Sequence, residues 1–399
     1  MTQAKRFEAV PGLIVAICFA VAALEGYDIQ AFGVAAPQLV VRLGLTPSQM
    51  GMAGSAAMVG LVFGALAGGH LADRWGRRPV LALATAGFGL FSVLTALAGQ
   101  FETLTVCRFL TGLGFGAAMP NLIAIATEIS PANRRVATTT QMFCGMPTGG
   151  ALVALLAQLA GPALDWRIIF LIGGALPLAL TPLILWVLPE TRPPSVDPAR
   201  TQATGQILGQ GRLGPSLLLW IVFLLNLLIT YLLLNWLPTL IVAKGFAARE
   251  GASSALWFNG GGMIGALVLG RIVDRFGFRW PSALAFVVLG HALLGLSKAT
   301  DLPSLLVCSG LSGMCVLGGL YILYALAPTY YPAAFRAAGT GLAVAVGRLG
   351  SIAGPVIAGQ LRAGGYSADQ VFLAMVPASL AGAAAVWGLI TWFRPSADS

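Results

Sequence analysis

Apolar residues run through this chain in long blocks, each closed by a cluster of charge, proline or glycine. Blocks of this length predict helices long enough to cross a bilayer, for which about 20 apolar residues suffice. Six are expected at about 12–39, 48–71, 79–99, 103–127, 137–161 and 166–188. A polar stretch from Pro189 to Arg212, rich in Pro, Gly and Thr, reads as a linker. Six further blocks follow at about 214–242, 251–272, 281–299, 303–329, 337–361 and 370–393. The pattern predicts an all-α membrane protein of twelve transmembrane helices, organised as 1–188, a cytoplasmic linker at 189–213, and 214–399.

Composition sharpens this. Of 399 residues 57% are hydrophobic and only 9% charged, with mean hydropathy +0.85, against roughly 25% charged in soluble domains. A water-soluble globular protein, a disordered tail and a nucleic-acid binder are excluded, despite the net charge of +9. The five cysteines, Cys18, Cys107, Cys144, Cys308 and Cys315, lie inside apolar runs without metal-ligand spacing, so they read as small hydrophobes. The short charged segment Met1–Pro11 leads straight into the first block, which reads as a span and not a removed signal. No nucleophile–base pair, nucleotide loop or metal cluster stands out, so neither an enzyme nor a cofactor is expected.

The basic excess is a topology signal. With the N-terminus inside, inner segments hold fifteen Lys and Arg and outer ones six. The positive-inside rule then places both termini and the linker in the cytoplasm. The multi-pass chain is expected in a plasma membrane of bacterial inner-membrane type, as a monomer.

The two halves repeat. Gly69, Leu71, Asp73, Arg74, Gly76 and Arg78 recur as Gly270, Ile272, Asp274, Arg275, Gly277 and Arg279, an offset of 201 residues, and Arg135 maps onto Arg336. Each copy falls in the inner turn between the second and third helix of its half. Two pseudo-symmetric six-helix bundles follow, the parallel-repeat architecture of the major facilitator superfamily.

The residues resemble that superfamily along the whole chain. Glu25-Gly26-Tyr27-Asp28 is similar to the acidic signature of its aromatic acid:proton symporters. The strings Leu113–Asn121, Asn235–Pro238, Leu323–Pro328 and Val344–Gly350 look closest to the 3-(3-hydroxyphenyl)propionate transporter branch. Glu25 departs from the Asp of many relatives, keeping the acid and adding a methylene. The resemblance implies transport of a small aromatic carboxylate with protons.

An ionisable group in the hydrocarbon costs at least about 2.5–3.5 kcal/mol, so each one asks for a reason. Glu25 and Asp28 lie three apart on one helix face. Two acids so close disfavour double ionisation, and one is expected to carry a proton, Asp28 first. Arg348, flanked by Gly347 and Gly350 in the eleventh span, either clamps a substrate carboxylate with its planar fork or pairs with Glu25 or Asp28. Arg108 in the fourth span either stabilises a deprotonated Asp28, as the family's Arg–Gly pattern there implies, or snorkels to the outer interface. His291, alone in the ninth span, reads as packed, and His70 as part of the repeated motif.

An aromatic acid needs π-faces and a polar end. Gln30, Asn121, Gln141, Tyr231, Asn235, Trp236 and Tyr324 are the substrate-binding candidates, with Tyr27, Asn259 and Tyr321 in reserve. The inner turns carry a gating set: Asp73, Arg74, Arg77, Arg78, Glu128, Arg134 and Arg135 in the first half, Asp274, Arg275 and Arg336 in the second. Weak exposed pairs among them would favour one state without locking it. Gly60, Gly64 and Gly68, Gly112 with Gly116, and Gly261 with Gly265 mark close helix contacts. Pro120, Pro147, Pro238 and Pro355 imply kinks. The expected function is a proton-coupled importer of small aromatic carboxylates that rocks two halves around one chamber. The alternative is an exporter of drugs or metabolites with the same fold, for which Gly145–Gly150 is only a partial match to the antiporter motif.

Overall fold

Twelve stretches are helical, long and apolar enough to cross a membrane in the computed structural model, among the residues it describes. Those residues are 11–130, 135–191, 212–332 and 336–393. The helices are α1 (Pro11–Leu43), α2 (Pro47–Trp75), α3 (Arg77–Ala96), α4 (Phe101–Ile129), α5 (Arg135–Phe143), α6 (Gly145–Ala160), α7 (Trp166–Val187), α8 (Leu213–Ala243), α9 (Ala248–Phe276), α10 (Arg279–Lys298), α11 (Leu302–Leu326), α12 (Arg336–Ala363) and α13 (Ala368–Trp392). The chain divides into two units, Met1–Pro194 and Ser195–Ser399. Most of the expected linker, and Arg134 of the gating set, lie outside the described residues.

Local chemistry explains the boundaries. Thr46 accepts the Gln49 N–H at 3.2 Å while the Gln49 side chain accepts the Thr46 N–H at 2.9 Å, with Pro47 opening α2. That is a reciprocal cap for two otherwise orphaned donors. Ser367 and Gln370 do the same for α13. α2 and α9 end at Gly76 (φ 92°) and Gly277 (φ 72°), the same position of the repeated motif. A side chain would be strained in that backbone conformation.

The fifth block, expected as one helix over 137–161, is two. Pro147 has no N–H to give the Phe143 carbonyl, and the helix breaks at Cys144 between α5 and α6. Together they still make one span, Thr138–Ala160.

Within each unit the helices pair in the same way. α2 packs on α4, α1 on α6 and α3 on α7, and in the second unit α9 on α11, α8 on α12 and α10 on α13. Missing side chains bring the backbones together. A Cβ on Gly112 or Gly116 would overlap the carbonyl of Ala57 or Leu61, and one on Gly313 that of Phe258. Gly149 lies against the Ala23 carbonyl, with Tyr27 N only 2.6 Å from where its Cβ would stand. Gly149→Val is therefore expected to lower stability by at least about 1–3 kcal/mol through overpacking. Gly87→Ala, which points into open space, leaves it unchanged or slightly raised. Thermal midpoints of the two detergent-solubilised variants check this, and equal midpoints would refute the contact.

Candidate functional site

Asp28 sits in the middle of α1 with its side chain closed off from every side. Arg108 of α4 donates through Nη1 to Asp28 Oδ2 at 2.6 Å, and both side chains are at most 2% exposed. The Ser92 hydroxyl of α3 donates to Asp28 Oδ1 and also lies 3.2 Å from the Phe170 carbonyl of α7. Both carboxylate oxygens are thus engaged by groups of the same unit. The guanidinium lies between two rings, Cζ 5.4 Å from the Phe32 centroid and 5.7 Å from that of Phe170. A charge-assisted bond and two aromatic faces replace the hydration both ions have lost. Among the described residues Arg108 Nε has no hydrogen-bond partner.

This decides between the two expectations for Arg108. It does not snorkel; it pairs with Asp28 at 1% exposure. Glu25, one turn earlier, is equally buried, as is Gln30. Tyr27 fixes this part of α1 to α7 by donating to the Ile169 carbonyl at 3.2 Å, its ring filling the space beside Gly173. Asn121, also buried, turns its amide onto the Ala117 carbonyl at 2.8 Å, beside the Pro120 kink. Gln141 lies on the exposed side of α5.

The second unit holds a different centre. Arg348 of α12 is half-buried and donates through Nη1 to the Tyr231 hydroxyl oxygen of α8 at 3.1 Å. Accepting that bond leaves the Tyr231 O–H able to donate, so guanidinium and phenol present donors side by side. Tyr324 of α11 is within electrostatic reach of both and meets the Phe223 ring edge-on at 5.7 Å. α12 approaches this closely because a Cβ on Gly347 would meet Phe223 Cβ at 2.9 Å, and one on Gly350 would overlap the Leu224 carbonyl. Asn235 donates to the Tyr231 carbonyl at 2.8 Å, and Trp236 Nε1 to the Pro355 carbonyl at 3.1 Å. Trp236 thereby spends its one donor on joining α8 to α12.

Of the sequence-predicted residues, Asp28 and Arg108 meet in the first unit. Arg348, Tyr231 and Tyr324 gather in the second, with Asn235 and Trp236 in the supporting α8. Sequence reasoning missed Ser92, Phe32 and Phe170 around the carboxylate. It also missed Asn226 and Thr230 on α8, where Asn226 donates to the Val316 carbonyl at 3.3 Å and Thr230 to the Asn226 carbonyl at 2.7 Å. A buried amide and hydroxyl four apart on the helix of Tyr231 were the available signal.

The gating set is arranged differently from expectation. Glu128, expected to offer its charge together with Arg134 and Arg135, takes Arg77. Glu190, assigned to the linker by sequence, is central: it accepts the Arg77 backbone N–H at 2.9 Å and stands 4.0 Å from Arg78 Nε. Its carboxylate occupies the space a Gly76 side chain would need. Asp73 and Arg74 are exposed and make no ion pair among the described residues. In the second unit Asp274 and Arg275 are exposed, Arg275 lying 5.4 Å from the Phe276 centroid, and Arg336 Nε donates to the Tyr331 carbonyl at 3.4 Å. The Arg135 side chain lies outside the described residues. His291 is a correction: it is exposed, its Nδ1 2.9 Å from the Val287 carbonyl of its own helix. The lone imidazole needs no packed cavity because that turn satisfies it. His70 is likewise exposed, with Nδ1 3.0 Å from the Leu66 carbonyl.

Comparison with known proteins places these centres in context. Residues 18–268 match the family profile of the Major Facilitator Superfamily. The chain is 38% identical to a 3-(3-hydroxy-phenyl)propionate transporter of Escherichia coli over 97% of its length and 96% of that protein. It is 34% identical to a gallate transporter of Pseudomonas putida, covering 94% and 90%. It is 35% identical to the 4-hydroxybenzoate transporter PcaK of Pseudomonas aeruginosa, covering 93% and 91%. Among solved structures, a D-xylose-proton symporter superposes with TM-score 0.75 at 18% identity, covering 97% and 98% of the two chains. At that identity the likeness concerns the fold alone.

Proposed function

The chain belongs to the major facilitator superfamily, a family of transporters, and on that premise we propose that it is a proton-coupled symporter importing small aromatic carboxylates by alternating access. One observation carries the proton half: a carboxylate in the membrane interior, Asp28, held by Arg108 at 2.6 Å. Protonation removes the charge that Arg108 holds, so the ion pair is the element whose state a proton changes. Glu25, buried one turn away, is the second acid of this centre.

The substrate half rests on Arg348 and Tyr231. A carboxylic acid with pKa near about 4 is an anion at neutral pH. The planar fork of Arg348 and the Tyr231 O–H suit its two oxygens, and Tyr324 and Phe223 supply ring faces for the aromatic part. Asn235 and Trp236 hold this centre, while Gln30, Asn121 and Gln141 are the candidates of the first unit. Carrying at least one proton with the carboxylate cancels its charge and lets the proton gradient drive accumulation. The relatives' names, which specify hydroxyphenylpropionate, gallate and 4-hydroxybenzoate, support the substrate class.

The same reading places both termini and the 189–213 linker in the cytoplasm, in a bacterial-type plasma membrane, with 1–188 and 214–399 as the two six-helix bundles of a monomer. The Arg77–Glu128 pair and the Glu190 contacts are breakable links of about 0–1 kcal/mol each, suited to a latch that a transport cycle opens and closes.

Proteoliposome uptake of labelled hydroxyphenylpropionate, 4-hydroxybenzoate and benzoate tests the reading. Accumulation is expected with the lumen alkaline. Accumulation only with the lumen acidic would establish proton antiport and export instead. Arg348→Lys keeps the charge but loses the fork, and is expected to weaken substrate affinity about ten-fold or more. Unaltered affinity in equilibrium binding would remove Arg348 from the site.

A further inference from the structure

Among the described residues, one charged group of the second unit has no equivalent of the partner that its counterpart in the first unit keeps. Arg78 and Arg279 occupy the same position of the repeated motif. Arg78 faces Glu190, just beyond the end of α7. Arg279 opens α10, which packs on α13 as α3 packs on α7. α13 has no acid in its last three turns and ends in Trp392. Among the described residues Arg279 makes no ion pair. Its guanidinium instead rests on the Trp387 ring, Cζ 4.2 Å from the centroid. That contact positions the cation without neutralising it.

Trp387 also lines a trough of about 520 Å³ between α10 and α13. Its floor is made of small residues, Ala283, Ala384 and Gly388, and its walls of tryptophan. Trp280 stands where the first unit has Pro79, and its ring meets that of Trp387 edge-on at 4.7 Å. Trp280 and Trp392 are 65% and 75% exposed, so the walls stand out from the helix surface toward the bilayer. An open apolar trough, with a guanidinium stacked on one of its tryptophans and without an ion-pair partner among the described residues, matches a molecule with a hydrocarbon chain and an anionic head.

We infer that the α10–α13 trough is a binding site for an anionic phospholipid, one acyl chain lying between the tryptophans and the phosphate on Arg279. α10 begins and α13 ends on one side of the membrane, the side of the arginine-rich turns, so the lipid belongs to that leaflet. The site lies wholly within the second unit and does not depend on what the protein transports.

Tryptophan emission of the full-length protein in nanodiscs reads occupancy directly, with brominated phosphatidylglycerol or brominated phosphatidylcholine as quencher. The anionic lipid is expected to quench at about five-fold lower mole fraction, the factor one interfacial basic residue supplies. Arg279→Gln should abolish that preference while leaving quenching by phosphatidylcholine unchanged, and Arg279→Lys should retain part of it. Trp387→Phe should reduce the amplitude of the preferential component. Glycerol 3-phosphate at millimolar concentration should displace nothing. Equal quenching by the two lipids, a preference that survives Arg279→Gln, or displacement by the soluble phosphate would each overturn the assignment.

Discussion

Arg108→Ala leaves a protein about 3–5 kcal/mol less stable, the cost of stranding one member of a buried ion pair. Against a net stability of roughly 5–15 kcal/mol, that is a large part of the margin, and the thermal midpoint should fall sharply. The reason is local. Asp28 is fully enclosed, so no water can take over from the lost guanidinium, and Ser92 supplies a single hydrogen bond. The remedy is equally specific. Adding Asp28→Asn to Arg108→Ala removes the stranded charge and should recover the electrostatic part of the loss, while the cost of the space vacated by the arginine remains. Size-exclusion recovery and thermal midpoint of the two variants measure this. A single variant as stable as the parent, or a double variant no better than the single, would show that the pair is not the electrostatic centre of the first unit.

Asp28→Asn alone separates transport from its driving force. The amide keeps the shape and still accepts from Arg108, but it does not take up a proton at physiological pH; because it also removes the charge opposite Arg108, transport is normalised to the folded protein recovered. Each pH unit across the membrane supplies about 1.4 kcal/mol per coupled proton, about ten-fold in accumulation. That concentrative part should disappear, leaving internal substrate at the external level. Counterflow of labelled against unlabelled substrate should persist, because exchange needs the substrate centre around Arg348 and no net proton movement. Concentrative uptake that survives the substitution would move the coupling role to Glu25, and Glu25→Gln would then carry the loss.

How much of this was legible in the sequence depends on how costly each residue is in a membrane. The spans were plain: the fourth block was read at 103–127 and the helix is Phe101–Ile129. Asp28, Arg108 and Arg348 announced themselves because ions are expensive in hydrocarbon. Ser92 and Thr230 did not, because a hydroxyl satisfied by its own helix or a neighbour passes for packing. Glu190 was hidden by its setting, a Pro- and Thr-rich stretch that reads as linker, although its first residues still serve α3. The break at Cys144 is one residue's missing donor, visible as Pro147, but tertiary packing decides whether such a proline bends a helix or interrupts it. His291 misled because a lone polar residue in an apolar run suggests an interior, whereas its own preceding turn suffices.

The Ser92 hydroxyl has a single hydrogen and two oxygens within its reach, Asp28 Oδ1 and the Phe170 carbonyl. It cannot serve both at once. While the carboxylate is ionised, the hydrogen belongs on Oδ1. When a proton arrives on that oxygen, the acid becomes the donor, and the hydroxyl swivels its own hydrogen to Phe170. The hydroxyl thus serves the carboxylate in one charge state and the Phe170 carbonyl in the other, so a change of charge at Asp28 is met by the turn of a single rotor.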